Sequence, residues 1–359
     1  MDTALPDFES RLVAALGDTP SRIPVILGPC GSGRTSMLRR IGEHLGRGAA
    51  QYIDLERVTS TPERFFARAT ADAPFAWPAP AVPPDGPHEA FLRALAYFNE
   101  ARTRDGGPVT FLLDDVLEFR TFESFPGLRQ VMADSLTAFA ASPNRFVLAT
   151  RFERRALLAL RSAPDRYMVV HAPPVSVAAL AADLLQVPGI RSDEAEDTAR
   201  VIAMLAAGRA SYAAAIVATL AEPSRRGCDP VAALAQLLAP GGAIAVRCRC
   251  SYEFRLHRAR GYGALKGILG ILAEEEPLTL TEIAVRLGRT PGSTKDYLSW
   301  LEDVDLVRVH RKRYTFDDPV LRVWVRLYSG CEAPDGGRVA DAVQRYALAR
   351  LSSNPVTSG

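Results

Sequence analysis

The chain has 359 residues, of which 48% are hydrophobic, and its formal net charge is +2. This length exceeds one ordinary domain, and the near-zero charge excludes a protein that is attracted to polyanions as a whole. No apolar run approaches a membrane span, and the N-terminus lacks the layout of a signal peptide. We therefore expect a multidomain cytoplasmic protein without a membrane partner, and its five scattered cysteines are expected to be reduced thiols.

Strands and helices alternate along the first half of the chain, which predicts a parallel sheet. A helix over Phe8–Leu16 is predicted first. The predicted strands are apolar runs at Ile23–Leu27, Gln51–Asp54, Val109–Leu113, Arg145–Ala149 and Met168–His171. The predicted helices between them run to about Leu45 and over Pro62–Thr70, His88–Arg102 and Leu128–Ala141, with an irregular proline-rich insertion at Ala71–Pro87.

A glycine-rich loop follows the first strand and opens the next helix, which is the setting that a phosphate-binding loop requires. Its glycines let phosphate oxygens approach the backbone, and its N–H groups with the positive helix N-terminus favour a β-phosphate. Thr35 is expected to place its hydroxyl on Mg²⁺. The predicted nucleotide-contacting residues are Gly28, Pro29, Cys30, Gly31, Ser32, Gly33, Arg34, Thr35 and Ser36. The alternative is a glycine-rich turn that binds no ligand.

Arg34 stands at the position where such loops have lysine. A guanidinium is a wide planar fork whereas an ammonium is a compact charge, so the two are not equivalent. Three of the 43 basic residues in this chain are lysines, so arginine is its default cation. We interpret Arg34 as a phosphate ligand and expect slow turnover.

The third predicted strand ends in two carboxylates, Asp114 and Asp115. Its continuous apolar run is typical of a strand covered on both faces, and ligands bind at the carboxyl ends of such strands. We expect Asp114 to support Mg²⁺. Asp115 falls where a water-polarising glutamate is usual, and it is one methylene shorter. The alternative is a strand that simply ends in polar residues.

The pattern changes to alanine-rich helices from about Pro173. They are predicted over Val177–Leu185, Asp193–Ala207, Ser211–Leu220 and Asp229–Leu238, and they suggest a small bundle. From Tyr262 the order is helix, helix–turn–helix and hairpin, which is that of a winged helix. Thr279 is expected to cap the helix that ends at Gly288.

Taken together, these motifs resemble the archaeal-type ATPases of the STAND/AAA+ group. The resemblance covers roughly residues 8–328 and rests on the order of the motifs. It includes the strand end Leu148–Arg151 and the stretch Arg313–Trp324, which is similar to a Tyr-x-x-x-Asp-Pro-x-x-x-x-Trp stretch common in that group.

The resemblance implies an α/β P-loop NTPase sheet with helices on both faces, then a helical lid bundle and a winged-helix domain. The implied boundaries are 1–172 for the ATPase core, 173–245 for the lid, 246–330 for a linker helix and the winged helix, and 331–359 for a C-terminal tail. ATP and Mg²⁺ are the implied cofactors. The residues implied to act on ATP are Arg34, Asp115 and, at the γ-phosphate sensor position, Thr150 or Arg151.

The chain departs from the group's pattern at four places. Arg34 replaces lysine and Asp115 replaces glutamate, which leaves hydrolysis of ATP to ADP and phosphate undecided. The lid sequence Gly208–Ser211 lacks the expected Gly-x-Pro, and no Arg-Glu-x-Glu-Leu segment precedes the first strand. Arg209 is a weak candidate for a lid arginine that reaches the nucleotide; a solvent-facing side chain is the favoured interpretation.

The predicted hairpin carries a basic tip of four adjacent residues, His310, Arg311, Lys312 and Arg313. Such a tip suits contacts to a DNA phosphate backbone. The preceding helix offers Ser293, Thr294, Lys295 and Ser299, although Asp296 and Glu302 would repel phosphate. The alternative is that the domain packs on the core or on a protein partner. A second basic segment comprises Arg247, Arg249, Arg255, Arg258 and Arg260, which could face DNA, a neighbouring subunit or water.

Two classes of function remain open. The first is an ATP-binding switch with slow hydrolysis that assembles on DNA, on a protein partner or as a homo-oligomer. The second is a non-hydrolysing interaction protein or DNA-binding regulator with a structural nucleotide site.

Overall fold

The structure is a computed structural model that describes residues 6–18, 21–71, 73–161, 165–187, 189–222, 229–257, 261–330 and 332–352. The chain divides into two compact units, Met1–Ala172 and Pro173–Gly359.

Five parallel strands form the sheet of the first unit. They are β1 (Ile23–Leu27), β2 (Ala50–Asp54), β3 (Thr110–Asp114), β4 (Arg145–Thr150) and β5 (Tyr167–His171), in the order β2-β3-β4-β1-β5 across the sheet. All five predicted strands are present. In register, Val25 of β1 lies opposite Leu148 of β4 and Val169 of β5. Because the strands are parallel, the residues that follow β1, β3 and β4 meet along one edge of the sheet.

Seven α-helices and one 3₁₀ helix accompany this sheet in the described part of the first unit. They are α1 (Asp7–Leu16), α2 (Arg34–Leu45), α3 (Leu55–Val58), α4 (Pro62–Ala71), α5 (Gly86–Glu100), the 3₁₀ helix (Val116–Ser124), α6 (Val131–Ala141) and α7 (Glu153–Leu160). The sequence did not predict α3, α7 or the 3₁₀ helix.

Alternate residues of the strands pack against helices on opposite faces of the sheet. On one face Ile26, Leu112 and Val147 form a core with residues of α1 and α2. On the other face Phe111 and Phe146 are stacked with ring centroids 5.5 Å apart and join the aromatic side chains of α5 and α6. This two-sided burial confirms the predicted α/β sheet with helices on both faces and explains why the strands are apolar throughout.

The described part of the second unit contains ten helices and a small antiparallel sheet. The helices are α8 (Val177–Leu184), α9 (Ala195–Leu205), α10 (Ala210–Ala221), α11 (Pro230–Leu238), α12 (Ala243–His257), α13 (Tyr262–Glu274), α14 (Leu280–Leu287), α15 (Pro291–Asp303), α16 (Pro319–Tyr328) and α17 (Gly336–Ser352). The strands are β6 (Leu278–Thr279), β7 (Val307–His310) and β8 (Arg313–Phe316), in the order β6-β8-β7. Helices α16 and α17 and strand β6 were not predicted.

Helix α14 begins and ends as the sequence predicts. The Thr279 hydroxyl accepts a hydrogen bond from the Glu282 N–H at 3.3 Å, and the Glu282 carboxylate accepts one from the Thr279 N–H at 2.6 Å. Gly288 ends the helix with a left-handed φ of 66°. Helix α15 and the hairpin of β7 and β8 follow α14 in the chain.

In the described residues, no single helix is long and apolar enough to span a membrane; α11 and α12, bent by 50° at the break between them, pass such a test only as a pair.

Candidate functional site

The glycine-rich loop after β1 has a backbone conformation that requires glycine at two positions. Gly31 and Gly33 have left-handed φ angles of 84° and 91°, a region that side chains other than glycine rarely adopt. A Cβ atom on Gly28 would lie 2.7 Å from the Ser32 Oγ and 2.9 Å from the Ala172 Cβ. Helix α2 starts directly after Gly33 without a side-chain cap, so its first N–H groups are available to an anion.

Two side chains that are distant in sequence meet beside this loop. The Thr35 hydroxyl donates a hydrogen bond to the Asp114 Oδ2 at 2.6 Å, across 79 positions. Tyr52 of β2 donates to the same oxygen at 3.1 Å. Burial, followed by the charges of Asp114 and Asp54, raises the pKa of Tyr52 well above its usual value, so the phenol remains a donor. The hydroxyl and the carboxylate that a hydrated Mg²⁺ needs are therefore adjacent.

Arg34 is buried within the loop, with 7% of its surface exposed. Its Nη1 lies 3.7 Å from the Asp115 Oδ1, and its Nε and Nη1 make no hydrogen bond in the described part of the chain. Burial lowers the pKa of Arg34 while Asp115 and Asp114 oppose that shift, and a guanidinium remains charged at neutral pH. A buried cation with unused donors beside a glycine loop suits the anionic oxygens of a phosphate.

Asp115 occupies an unusual position just past β3. Its φ is 52°, in the left-handed region that aspartate tolerates better than most residues. One carboxylate oxygen faces Arg34 and the other lies 3.8 Å from the Arg151 Nη1. The carboxylate is therefore flanked by two guanidinium groups.

The end of β4 supplies Thr150 and Arg151. The Arg151 Nη2 donates to the Glu56 Oε1 at 2.8 Å and lies 3.7 Å from the Glu118 Oε1. Burial lowers the pKa of Arg151, but Asp115 and Glu56 outweigh burial and the net shift is upward. Thr150 is fully buried, and its hydroxyl accepts a hydrogen bond from the Phe152 N–H at 3.3 Å.

The remaining predicted loop residues differ in their exposure. Pro29 and Cys30 are half-buried and Ser36 is exposed. The buried Ser32 Oγ has no hydrogen-bond partner in the residues that the structure describes, so it could serve a phosphate oxygen. Behind the loop, Arg40 of α2 pairs with the buried carboxylate of Glu9 on α1.

No cluster of three or more His, Cys, Asp or Glu side chains that could hold a metal ion exists among the described residues. A Mg²⁺ ion held by Thr35 and Asp114 would take its other ligands from phosphate oxygens and water. This ligand set is usual for Mg²⁺, which keeps several waters and takes phosphate ligands.

Sequence reasoning missed three members of the site: Tyr52, Glu56 and Glu118. Glu56 lies in α3, two residues past the carboxyl end of β2, where the edge rule for parallel sheets could have indicated it. Tyr52 lies in the middle of β2, and that rule does not indicate it. Glu118 lies in the 3₁₀ helix that was not predicted, and no local pattern in the sequence indicates it.

In the second unit, the predicted basic tip is exposed. Arg311 and Lys312 form the two-residue turn between β7 and β8, with left-handed φ angles of 49° and 63°. His310 ends β7. Arg313 begins β8, and its guanidinium donates to the Pro277 carbonyl at 3.1 Å and lies 3.8 Å from the Glu282 carboxylate. Arg311 and Lys312 thus form the turn itself, whereas Arg313 contacts Pro277 and Glu282.

The helix proposed to face DNA, α15, is exposed at Lys295. Thr294 is fully buried, and its hydroxyl donates to the Thr290 carbonyl at 3.0 Å. The expectation that Thr294 lies on a contact surface is therefore wrong. Its hydroxyl instead bonds within its own helix, one turn back.

The second basic segment does not form one charged surface. Arg255 is buried and donates to the Asp305 carbonyl at 2.7 Å, while Arg247 donates to the Ser211 carbonyl at 3.0 Å. Arg249 is exposed. The predicted members Arg258 and Arg260 lie outside the described residues.

The structure also corrects the interpretation of Arg209, whose exposed fraction is 4%. Its guanidinium donates to the Asp318 Oδ2 at 2.9 Å and to the Asp317 Oδ2 at 3.0 Å. Tyr212 donates to the same Asp318 oxygen at 2.8 Å. Arg209 is neither solvent-facing nor a free lid arginine, because it pairs with carboxylates of its own unit.

Comparison with known proteins gives structural matches alone. No protein family and no curated protein matches the chain. The Walker-type ATPase PABY2304 of Pyrococcus abyssi is similar in structure, with a TM-score of 0.63 and 18% sequence identity over 89% of this chain and 95% of that one. The Aeropyrum pernix ORC1 protein in complex with DNA has a TM-score of 0.46 and 16% identity over 98% and 95%. This second TM-score supports no conclusion. The first likeness shows the fold, and this chain has the fold of a P-loop ATPase.

Proposed function

We propose that this protein binds ATP with Mg²⁺ at the loop of residues 28–36, hydrolyses it slowly, and couples the nucleotide state to assembly or to DNA or partner binding. The observation that carries the proposal is the 2.6 Å hydrogen bond from Thr35 to Asp114. It joins the phosphate-loop hydroxyl to the carboxylate at the end of β3, and these two groups are the ones a P-loop NTPase uses to hold its metal.

Each residue of the loop has a definite task in this proposal. The N–H groups around Gly31 and Gly33 bind phosphate oxygens, and the buried Arg34 guanidinium supplies a positive charge with unused donors. Thr35 and Asp114 orient the metal's coordination shell. When bound, Mg²⁺ neutralises the charge of the outer phosphates.

Slow hydrolysis is expected from the surroundings of Asp115. Both of its oxygens face guanidinium groups, at 3.7 Å and 3.8 Å. A carboxylate that polarises water must have an oxygen within hydrogen-bond reach of that water. Asp115 has a shorter side chain than glutamate, and its oxygens are directed at Arg34 and Arg151. The same observation favours the second candidate function, a nucleotide site that is structural and does not hydrolyse ATP.

Nucleic-acid binding is proposed for the tip of the β7–β8 hairpin. Arg311 and Lys312 are exposed at its turn, where they can reach a phosphate backbone without burying other side chains. His310 is exposed next to the turn and Lys295 is exposed on α15, and they add positive or titratable groups. Contacts of this type release counterions, so affinity for duplex DNA should fall steeply with salt and depend little on sequence.

Isothermal titration calorimetry with ATP, with and without Mg²⁺, tests the nucleotide proposal. The Thr35→Ala variant should lose most of the Mg²⁺-dependent gain in affinity. The matched control is Ser124→Ala, which removes an exposed hydroxyl of the same unit that bonds the Thr121 carbonyl and should bind as the wild type does. Equal Mg²⁺ dependence in the wild type and in Thr35→Ala would contradict the proposal.

Fluorescence anisotropy with unrelated duplexes, over a series of salt concentrations, tests the nucleic-acid proposal. Replacing Arg311, Lys312 and Arg313 with alanine should weaken binding to every duplex alike and flatten the salt dependence. The control removes three other exposed arginines of the same unit, Arg191, Arg338 and Arg345. Unchanged binding by the tip variant would favour a protein partner or a self-assembly role for this domain.

A further inference from the structure

We propose that Asp115 sets nucleotide affinity by competing with the nucleotide phosphate for the Arg34 guanidinium. This inference rests on the proposed nucleotide binding at the loop. It assigns Asp115 the role of counter-ion to the phosphate-loop arginine, in place of the water-polarising role that its position suggests.

The Arg34–Asp115 contact is an ion pair that lacks hydrogen bonds. The distance from Nη1 to Oδ1 is 3.7 Å, which exceeds a hydrogen-bond length. Arg34 is buried, and its Nε and Nη1 donors are unused among the described residues. A phosphate can accept charge-assisted hydrogen bonds from these donors, and those bonds are stronger than a longer-range ion pair. Arg34 therefore gains hydrogen bonds when it exchanges Asp115 for phosphate.

Asp115 remains paired after such an exchange. Its Oδ2 lies 3.8 Å from the Arg151 Nη1, and Arg151 is itself hydrogen-bonded to Glu56 at 2.8 Å. When Arg34 turns to the phosphate, the buried Asp115 carboxylate therefore still has a cation beside it. A buried carboxylate without a cation would make the exchange costly.

The backbone keeps Asp115 in place during the exchange. Its N–H donates to the Asp114 Oδ1 at 3.1 Å, and its own Oδ1 accepts from the Arg151 N–H at 3.4 Å. Its left-handed φ of 52° favours asparagine and glycine among the possible replacements. Asp115→Asn and Asp115→Gly therefore remove the charge while retaining the turn.

The consequence is that removing the Asp115 charge should tighten nucleotide binding, because Arg34 is then no longer held by a carboxylate. We expect a gain on the order of 10-fold, within the usual range of coupling between groups in direct contact. Removal of any nearby negative charge would also favour an anion slightly. The control is therefore Glu153→Gln, which removes an exposed carboxylate beside His171, the residue opposite Leu27 at the end of β1.

The experiment is calorimetry with ADP and with pyrophosphate, which carry the phosphate groups that Arg34 is proposed to bind and lack the γ-phosphate of ATP. Asp115→Asn and Asp115→Gly should both bind these probes about 10-fold more tightly than the wild type, and Glu153→Gln should differ by less than about 2-fold. In an Arg34→Met background, Asp115→Asn should change the affinity by no more than the control does, which is less than about 2-fold. Circular dichroism of each variant verifies the fold. Two different replacements of Asp115 keep the test valid if one of the variants does not fold.

The outcomes separate the two proposals. Unchanged affinity in both Asp115 variants, or an equal gain in the Arg34→Met background, overturns the competition while leaving nucleotide binding intact. Failure of the wild type to bind either probe overturns the proposed nucleotide site, and the competition with it.

Discussion

Replacement of Arg209 by methionine should destabilise the second unit strongly. The side chain is 4% exposed and pairs with the Asp318 and Asp317 carboxylates at 2.9 Å and 3.0 Å. Breaking a buried pair by removing one partner typically costs 3–5 kcal/mol, because an uncompensated charge remains. Asp318 keeps its hydrogen bonds from Tyr212 and from the first N–H groups of α16. We therefore expect about 3 kcal/mol, at the low end of that range.

Urea unfolding followed by tryptophan fluorescence measures this loss, since Trp300 and Trp324 both lie in the second unit. The control is Arg200→Met on α9, whose pairs with Glu196 and Asp197 are exposed and should contribute at most about 1 kcal/mol. Adding Asp318→Asn to Arg209→Met should recover part of the stability, since asparagine retains the helix cap. A loss no larger than that of the control would refute the account of this ion pair.

Three further predictions concern catalysis, the hairpin and pH. Wild-type ATP turnover, measured as phosphate release, should lie well below the enzyme median of about 10 s⁻¹, and Arg34→Lys with Asp115→Glu should raise it; a wild-type rate near that median would contradict this. Arg311→Asn with Lys312→Gly should raise the melting temperature, because two left-handed residues in a hairpin turn favour Asn-Gly, and it should weaken DNA binding; a lower melting temperature would show that the turn is unstrained. Burial, followed by the charge of Asp114, raises the pKa of Asp54 in the folded state. The free energy of unfolding therefore falls as the pH rises above the pKa that Asp54 has in the unfolded chain. Asp54→Asn should therefore stabilise the protein more at pH 7 than at pH 4 in urea titrations, and an equal effect at both pH values would contradict this.

The strands and the phosphate loop could be predicted because their signals are local. A continuous apolar run such as Ile23–Leu27 indicates a strand covered on both faces, and the glycines after it mark a turn with left-handed residues. The end of β3 at Asp114 could be predicted from the same kind of apolar run. The sequence also placed the loop and Asp114 at one edge of the sheet, because parallel strands share that edge.

The interactions of individual side chains could not be predicted in the same way. Tyr52 reaches Asp114 across 62 positions, and Arg209 reaches Asp318 across 109. Neither spacing leaves a periodic trace in the sequence. A charged residue in a helical stretch is usually exposed, which is why Arg209 and Arg255 were expected at the surface. Both are buried because specific acceptors satisfy them.

The most direct test of the account is a double-mutant cycle on Thr35 and Asp114, with ATP affinity measured by calorimetry at increasing Mg²⁺. Because these two residues are joined by a 2.6 Å hydrogen bond and are assigned to one metal, Thr35→Ala and Asp114→Asn should each remove most of the Mg²⁺-dependent gain in affinity. The double variant should lose little more than either single variant, since residues that act as a unit are not additive. Independent, additive losses, or a wild-type affinity for ATP that does not respond to Mg²⁺, would contradict the claim that this loop binds ATP through a metal held by Thr35 and Asp114.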